Sequence, residues 1–194
     1  VIFDWGGVLM RTADPGPRLE WEARLGLAPG SVNQVVFENP AWRRAQMGQI
    51  GDDEFWAGVG AQMQFDSETL ARFRRDFWAG DRLDQDLVEF LRMLRPRIKT
   101  GLLSNFSTGL RGLLQEHALL ETFDAIIISA EVHLLKPDVR VYQLAAERLG
   151  APRPACLFVD DLIENVQGAR AAGMSALHFA PIETAKAELE RRLT

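Results

Sequence analysis

Hydrophobic positions along this chain fall into two textures. From about residue 86 onward, short apolar runs recur, each long enough for one buried strand. They read "IKTGLLSN" (98–105), "FDAIIISA" (123–130), "ACLFVDD" (155–161) and "MSALHFA" (174–180). Such near-continuous runs predict parallel strands covered on both faces. Between them the spacing becomes helical. "PDVRVYQLAAERLG" opens with Pro137 in its first turn and stops at Gly150, and "LIENVQGARAAG" stops at Gly173. Ile182, Ala185, Leu189 and Leu193 mark a last helix. Strands alternating with helices predict an α/β fold built on a doubly wound parallel sheet. The opening run "VIFD" supplies a further strand of that sheet.

Residues 11–85 carry no comparable β-run. Asp52 and Asp66 stand where helix N-caps belong, ahead of "DEFWAGVGAQM" and "SETLARFRRDFWA". Leu70, Phe73 and Phe77 form one apolar stripe, and Trp21, Trp42, Trp56 and Trp78 all lie in this region. A small helical bundle needs such large side chains to bury enough area. The expected division is therefore an α/β core of residues 1–10 and 86–194, with residues 11–85 as an inserted helical cap.

Composition narrows the function. The 194 residues suffice for one domain with an insert, and 47% hydrophobic with 25% charged residues describes a globular protein. The net charge of -5, with no basic run longer than Arg-Arg, argues against a nucleic-acid partner. The longest apolar runs are far too short to span a membrane. No signal peptide is expected ahead of the first strand. A single cysteine, Cys156, excludes an intrachain disulfide, and its apolar neighbours make it a core thiol. The expected setting is cytoplasmic, as a monomer or homodimer acting on a small molecule.

Four of the apolar segments end on polar groups: Asp4, Ser104 with Asn105, the segment leading to Lys136, and Asp160 with Asp161. Strand ends of a parallel sheet share one edge, so these residues are expected to converge. A carboxylate, a hydroxyl, an ammonium and an acidic pair suit joint binding of a divalent cation and a phosphate. Each has a plainer reading. Asp4 reads equally as a strand-end cap, and Ser104 as the start of a loop. Lys136 ahead of Pro137 opposes a helix dipole unless an anion also binds there. Asp160 and Asp161 repel each other unless a cation is near. Asn165, one turn further on, is placed to orient that pair.

"FDWGGVL", "LLSN", "KPD" and "FVDD…NV" resemble, in order, the four motifs of the haloacid dehalogenase-like hydrolases, and the resemblance spans essentially the whole chain. The insert resembles the C1-type cap of that superfamily. "WRRAQMGQIGDDEF" is similar to the cap of the glucose-1-phosphate phosphatase-like branch, related to the phosphatase domain of soluble epoxide hydrolases. The resemblance implies an Mg²⁺-dependent phosphatase of a small, sugar-phosphate-like metabolite. Asp4 would be the nucleophile, forming an aspartyl-phosphate. Ser104 and Lys136 would hold the phosphoryl group, and Asn105 would orient the site. The metal ligands would be Asp161, with Asp160 beside it, Asp4 and the Gly6 carbonyl.

One position departs from the pattern. The superfamily's phosphatases usually carry a second Asp two residues after the nucleophile, as acid and base; here that position is Gly6. The loss of such a group typically costs about 10²–10⁴-fold in rate, so easily expelled leaving groups are expected. A 2-haloacid dehalogenase is the enzymatic alternative, although it needs no metal to sit beside Asp160 and Asp161. A weakly active binding or regulatory module is the other. A phosphonoacetaldehyde hydrolase would need a cap lysine, and the only lysines are Lys99, Lys136 and Lys186. In the cap, the turn at Gly48 is expected to face the site, with Arg43, Arg44, Gln46 and Gln49 as substrate contacts. Trp5 is expected to line the pocket or pack under the cap.

Overall fold

The computed structural model describes residues 1–193. The chain enters through β1 (Ile2–Phe3) at the centre of the molecule. It turns at Trp5–Leu9 and runs out along β2 (Met10–Thr12). Five helices follow: α1 (Gly16–Leu25), α2 (Ser31–Phe37), α3 (Pro40–Gln46), α4 (Asp52–Met63) and α5 (Ser67–Trp78). The chain returns along β3 (Asp81–Leu83), antiparallel to β2, with Met10 opposite Leu83 and Thr12 opposite Asp81. This ribbon corrects the expectation that residues 11–85 hold no β-structure. Its strands are three residues each, too short to leave an alternating pattern.

The insert's core is aromatic. Phe73 and Phe77 are fully buried, with Trp21, Trp42 and Trp56 nearly so. Phe77 meets Trp78, Phe37 and Trp56 at centroid distances of 4.7, 5.5 and 5.9 Å. Asp66 caps α5 by accepting from the Thr69 amide (2.8 Å), as its position predicts. Asp52 instead opens α4, whose N-cap is Gly51.

After α6 (Gln85–Leu94) come β4 (Gly101–Ser104), α7 (Leu110–Glu116), β5 (Ala125–Ile128) and the short α8 (Ser129–Val132). Then follow α9 (Val139–Leu149), β6 (Leu157–Asp160), α10 (Ile163–Ala171), β7 (Ser175–His178) and α11 (Ile182–Leu193). The helix expected to begin at Pro137 begins two residues later, because Asp138 caps it by accepting from the Arg140 amide. The sheet is parallel throughout, in the order β5-β4-β1-β6-β7. Its strands bury both faces: Phe3, Leu102, Val159 and Leu177 pack on one side, Ile2, Leu103, Phe158 and Ala176 on the other. That two-sided burial is why these strands read as unbroken apolar runs. β1 sits between β4 and β6, where the strand order reverses, and a crevice opens there at the carboxyl edge.

Phe77→Ala removes the ring at the centre of the aromatic cluster and leaves a cavity. Its expected cost is about 3–5 kcal/mol of stability, measured as a lowered urea midpoint with little change in slope.

Candidate active site

The polar strand ends meet at that crevice. Phe3 is level with Leu102 and Val159, so Asp4 emerges between β4 and β6, its amide donating to the Val159 carbonyl (2.9 Å). Lys136 reaches it from the segment between α8 and α9. The buried ammonium donates to Asp4 Oδ1 (2.8 Å) and Asp160 Oδ2 (2.6 Å). Asn105 fixes the lysine's backbone: its Nδ2 donates to the Lys136 carbonyl (2.9 Å), and its Oδ1 accepts from the Lys136 amide (2.8 Å). The end of β4 thereby positions the cation at the end of β1.

Asp160 is fully buried and accepts four donor contacts. Lys136 and Asn165 Nδ2 reach Oδ2, while Asn165 Nδ2 and the Leu162 amide reach Oδ1. Those contacts match a carboxylate's lone-pair capacity. Asp161 is half-buried and makes no ion pair among the described residues. Its carboxylate lies directly over Gly7, where a Cβ would stand 2.1 Å from Oδ2, and Gly7 has φ +73°. Only glycine suits both the conformation and the approach. A Cβ on Gly6, by contrast, would meet nothing within 4 Å.

Burial pushes the Asp4 carboxyl up to about 7; Lys136 opposes the rise and Asp160 adds to it. Asp161 is also raised, by burial and then by Asp160. Burial alone would lower Lys136, but Asp4 and Asp160 outweigh it and hold the ammonium above its ordinary value. Three carboxylates against one ammonium leave two negative charges in a poorly solvated place. Ligand oxygens of Asp4, Asp160 and Asp161 lie within 4.8 Å of one another. That donor set and charge fit a hard divalent cation such as Mg²⁺. Asp4 and Asp161 have the accessible oxygens, and Asp160 is committed to Lys136 and Asn165.

A cavity of about 680 Å³ opens above this floor. Ser104, Asn105, Trp5 and Gly6 line its base, and Trp42, Gln46 and Trp78 descend from the insert. Arg44 and Gln49, expected as substrate contacts, lie outside it. Both are exposed, and Arg44 pairs with Glu54 at 3.4 Å. The turn at Gly48 does not tip into the site either. Ile50 is buried in the aromatic cluster and anchors the turn, while Gly48 packs against the Ala130 carbonyl. Gln46 instead donates to the Asn105 carbonyl (3.0 Å), and Met47 presents its carbonyl to His133 Nδ1 (2.8 Å).

No local pattern points to Arg18, which also lines the cavity. Its guanidinium donates to the Phe77 carbonyl (2.9 Å) and Asp81 (2.8 Å) and lies over the Phe77 ring at 4.3 Å. Those partners are about sixty residues away along the chain. Trp42 and Trp78, expected only as core residues, face both the cluster and the cavity. Phe106, next to the Ser-Asn pair, meets Trp42 at 5.3 Å across the seam.

Residues 1–173 match the model of a haloacid dehalogenase-like hydrolase family. The chain belongs to that family. It is a hydrolase, with the α/β architecture that the resemblance implied. It is 36% identical to "Phosphatase MT3486" of Mycobacterium tuberculosis over 91% of this chain and 84% of that one. It is 31% identical to "(S)-2-haloacid dehalogenase 1" of a Pseudomonas species over 72% and 65% of the two chains. Among solved structures, a variant HAD-family enzyme from Bacteroides thetaiotaomicron, in complex with magnesium and inorganic phosphate, superposes with a TM-score of 0.73. That pair is 20% identical and covers 90% of both chains. The expectation of a hydrolase of phosphatase type agrees with the Mycobacterium relative. No helix among the described residues is long and apolar enough to cross a membrane.

The raised Asp4 carboxyl links stability to pH. The folded protein binds this proton more tightly than the unfolded chain, so stability falls as pH rises from about 4 to about 7. Without metal, Asp4→Asn is expected to be more stable than the parent at pH 8 by on the order of 4 kcal/mol. The gap should close toward pH 4. Urea titrations in EDTA at the two pH values measure it.

Proposed function

We propose that this hydrolase is an Mg²⁺-dependent phosphatase that cleaves a small phosphorylated metabolite through an aspartyl-phosphate on Asp4. The observation carrying this reading is the single lysine held between Asp4 and Asp160, with Asp161 within metal-sharing reach. The 36% identical phosphatase supports it, as does the magnesium and phosphate bound by the structurally similar enzyme.

In this reading Asp4, aimed into the cavity, attacks phosphorus. Lys136 and the Ser104 hydroxyl hold the phosphoryl oxygens as charge develops on them. Asn105 keeps the lysine in register. Asp4, Asp161 and the Gly6 carbonyl would hold Mg²⁺, and Asp160 fixes the lysine beside them. The bound ion supplies charge neutralisation for the carboxylates and the incoming phosphate. The insert covers the site and limits water. No acid stands at Gly6, so proton delivery to the leaving group falls to water, and substrates with stable leaving groups are favoured. A sugar phosphate remains within this class by virtue of its anomeric leaving group.

The dehalogenase reading is favoured by the relative of that name, but it leaves the charge of Asp161 unaccounted for. One assay separates the readings: phosphate release from acetyl phosphate and glucose 1-phosphate with Mg²⁺ or EDTA, beside chloride release from 2-chloropropionate. Phosphate release that requires Mg²⁺ and falls at least about 10³-fold in Asp4→Asn is expected. Chloride release without phosphate release would instead select the dehalogenase. Activity toward neither would select a binding module.

Open space at Gly6 also makes the missing acid restorable. Gly6→Asp should raise turnover of an alkyl phosphate by about 10–100-fold while changing acetyl phosphate turnover little. Equal effects on the two esters would show that leaving-group protonation does not limit the parent enzyme.

A further inference from the structure

The site cavity does not end at the nucleophile. A second cavity of about 470 Å³ adjoins it, and the two share Trp5, Met10, Trp42, Trp78, Asp81 and Phe106 as a common wall. Four aromatic rings and a thioether dominate that wall, and its one acid, Asp81, is already held by Thr12 and Arg18. Polar groups suited to sugar hydroxyls are already engaged around the first cavity. Arg18 is held by Asp81 and the Phe77 carbonyl, Arg11 by Asp84, and Gln46 by the Asn105 carbonyl. A hydroxyl-rich ligand would lose its water there without gaining matched partners.

The adjoining cavity, with exposed Glu116 and His117 on its lining, holds the opposite imbalance. Ser107 is 1% exposed, and its Oγ has no hydrogen-bond partner; Asp52 is half-buried and its Oδ2 faces Arg74 at 3.9 Å, but its enclosed Oδ1 has no partner. Both residues line this second cavity. Buried polar atoms are nearly always satisfied, so the open Ser107 hydroxyl, with Asp52 Oδ1 beyond the same aromatic wall, points to a ligand group that completes them.

We propose that the substrate is an aryl phosphate. Its ring sits between Trp5, Trp42, Trp78 and Phe106, and a hydroxyl or amino substituent at its far end reaches Ser107 and Asp52. The proposal rests on phosphoryl transfer to Asp4 and names the substrate class for it. It also fits Gly6. A carboxylate oxygen of Asp4 forms the new bond to phosphorus, the P–O(aryl) bond breaks, and its electron pair leaves on the aryl oxygen. A phenolate carries that charge without a positioned acid. Water then attacks phosphorus and releases Asp4. One of its protons stays on the hydrogenphosphate, and the other reaches the phenolate through solvent.

The test uses the whole enzyme with Mg²⁺ and acetyl phosphate as the reporter substrate. 2-Naphthylmethylphosphonate has no leaving group to favour it, so its inhibition reports binding alone. It should inhibit at least about tenfold more tightly than methylphosphonate, as expected for a ring packed among aromatic side chains. The kcat/KM for 6-hydroxy-2-naphthyl phosphate should exceed that for glucose 1-phosphate. Ser107→Ala should raise its KM about fivefold while moving the KM of unsubstituted 2-naphthyl phosphate much less. If acetyl phosphate is hydrolysed in an Asp4-dependent manner but the two phosphonates inhibit alike, or glucose 1-phosphate is the better substrate, the aryl assignment is overturned and the phosphatase reading stands. If acetyl phosphate is not hydrolysed at all, both fall.

Discussion

The buried ammonium of Lys136 is the contact on which the rest of the site depends. Its side chain is 1% exposed, and its partner Asp160 is fully enclosed. Placing an ammonium and two carboxylates out of water costs several kcal/mol per ion unless the geometry restores their interactions. Here the geometry comes from remote backbone. Asn105, at the end of one strand, holds the lysine's main chain, while Asn165 and the Leu162 amide hold Asp160. Sheet register sets those anchor points, so a helix or strand displaced by about an ångström would leave a buried charge unmatched. The arrangement still carries surplus negative charge. The raised carboxyls of Asp4 and Asp161 are the chain's own relief of it, by retaining protons that a bound cation would displace.

The insert answers a different constraint. Five helices of modest length cannot bury much area with aliphatic residues, so aromatic rings fill their centre. Rings at the edge of such a cluster have no further cap residue to cover them. Trp42 and Trp78 are therefore left facing the sheet edge, where Phe106 meets them and Trp5 lines the same cavity. The same packing that stabilises the insert gives the cavity its apolar wall. The short ribbon of β2 and β3 joins insert to core. Arg11 and Lys186 both reach Asp84 beside it, tying its base to the last helix.

Sheet strands and the convergence of Asp4, Ser104, Lys136 and Asp160 were legible because two-sided burial writes itself as apolar runs, each ending in a polar residue. The ribbon was not, since three-residue strands carry no period. Arg44 and Gln49 lie outside the cavity for a related reason. Helical position says which residues share a face, but the direction of the turn after α3 depends on Ile50 finding the aromatic cluster. Arg18 was silent because its partners come from other elements, Asn33 from the next helix and Phe77 and Asp81 from about sixty residues away. Local pattern reveals elements and their ends; contacts that exist only after docking leave no local trace.

Gly6 and Gly7 show how far a single residue type can differ in meaning. At Gly7 the backbone conformation and the Asp161 carboxylate both exclude a side chain, so the metal-facing acid and the turn need the same glycine. At Gly6 nothing excludes one: there is room, an ordinary backbone and a cavity in front of it. Steric need accounts for the first glycine and cannot account for the second. What distinguishes Gly6 is the chemistry above it. An acid there would stand in a cavity walled by tryptophans, where its charged form would be poorly solvated and no described cation would be free to pair with it, since Arg11 and Arg18 are already committed. Apolar walls and a missing acid are thus compatible features of one site, and both favour a leaving group that brings its own stability.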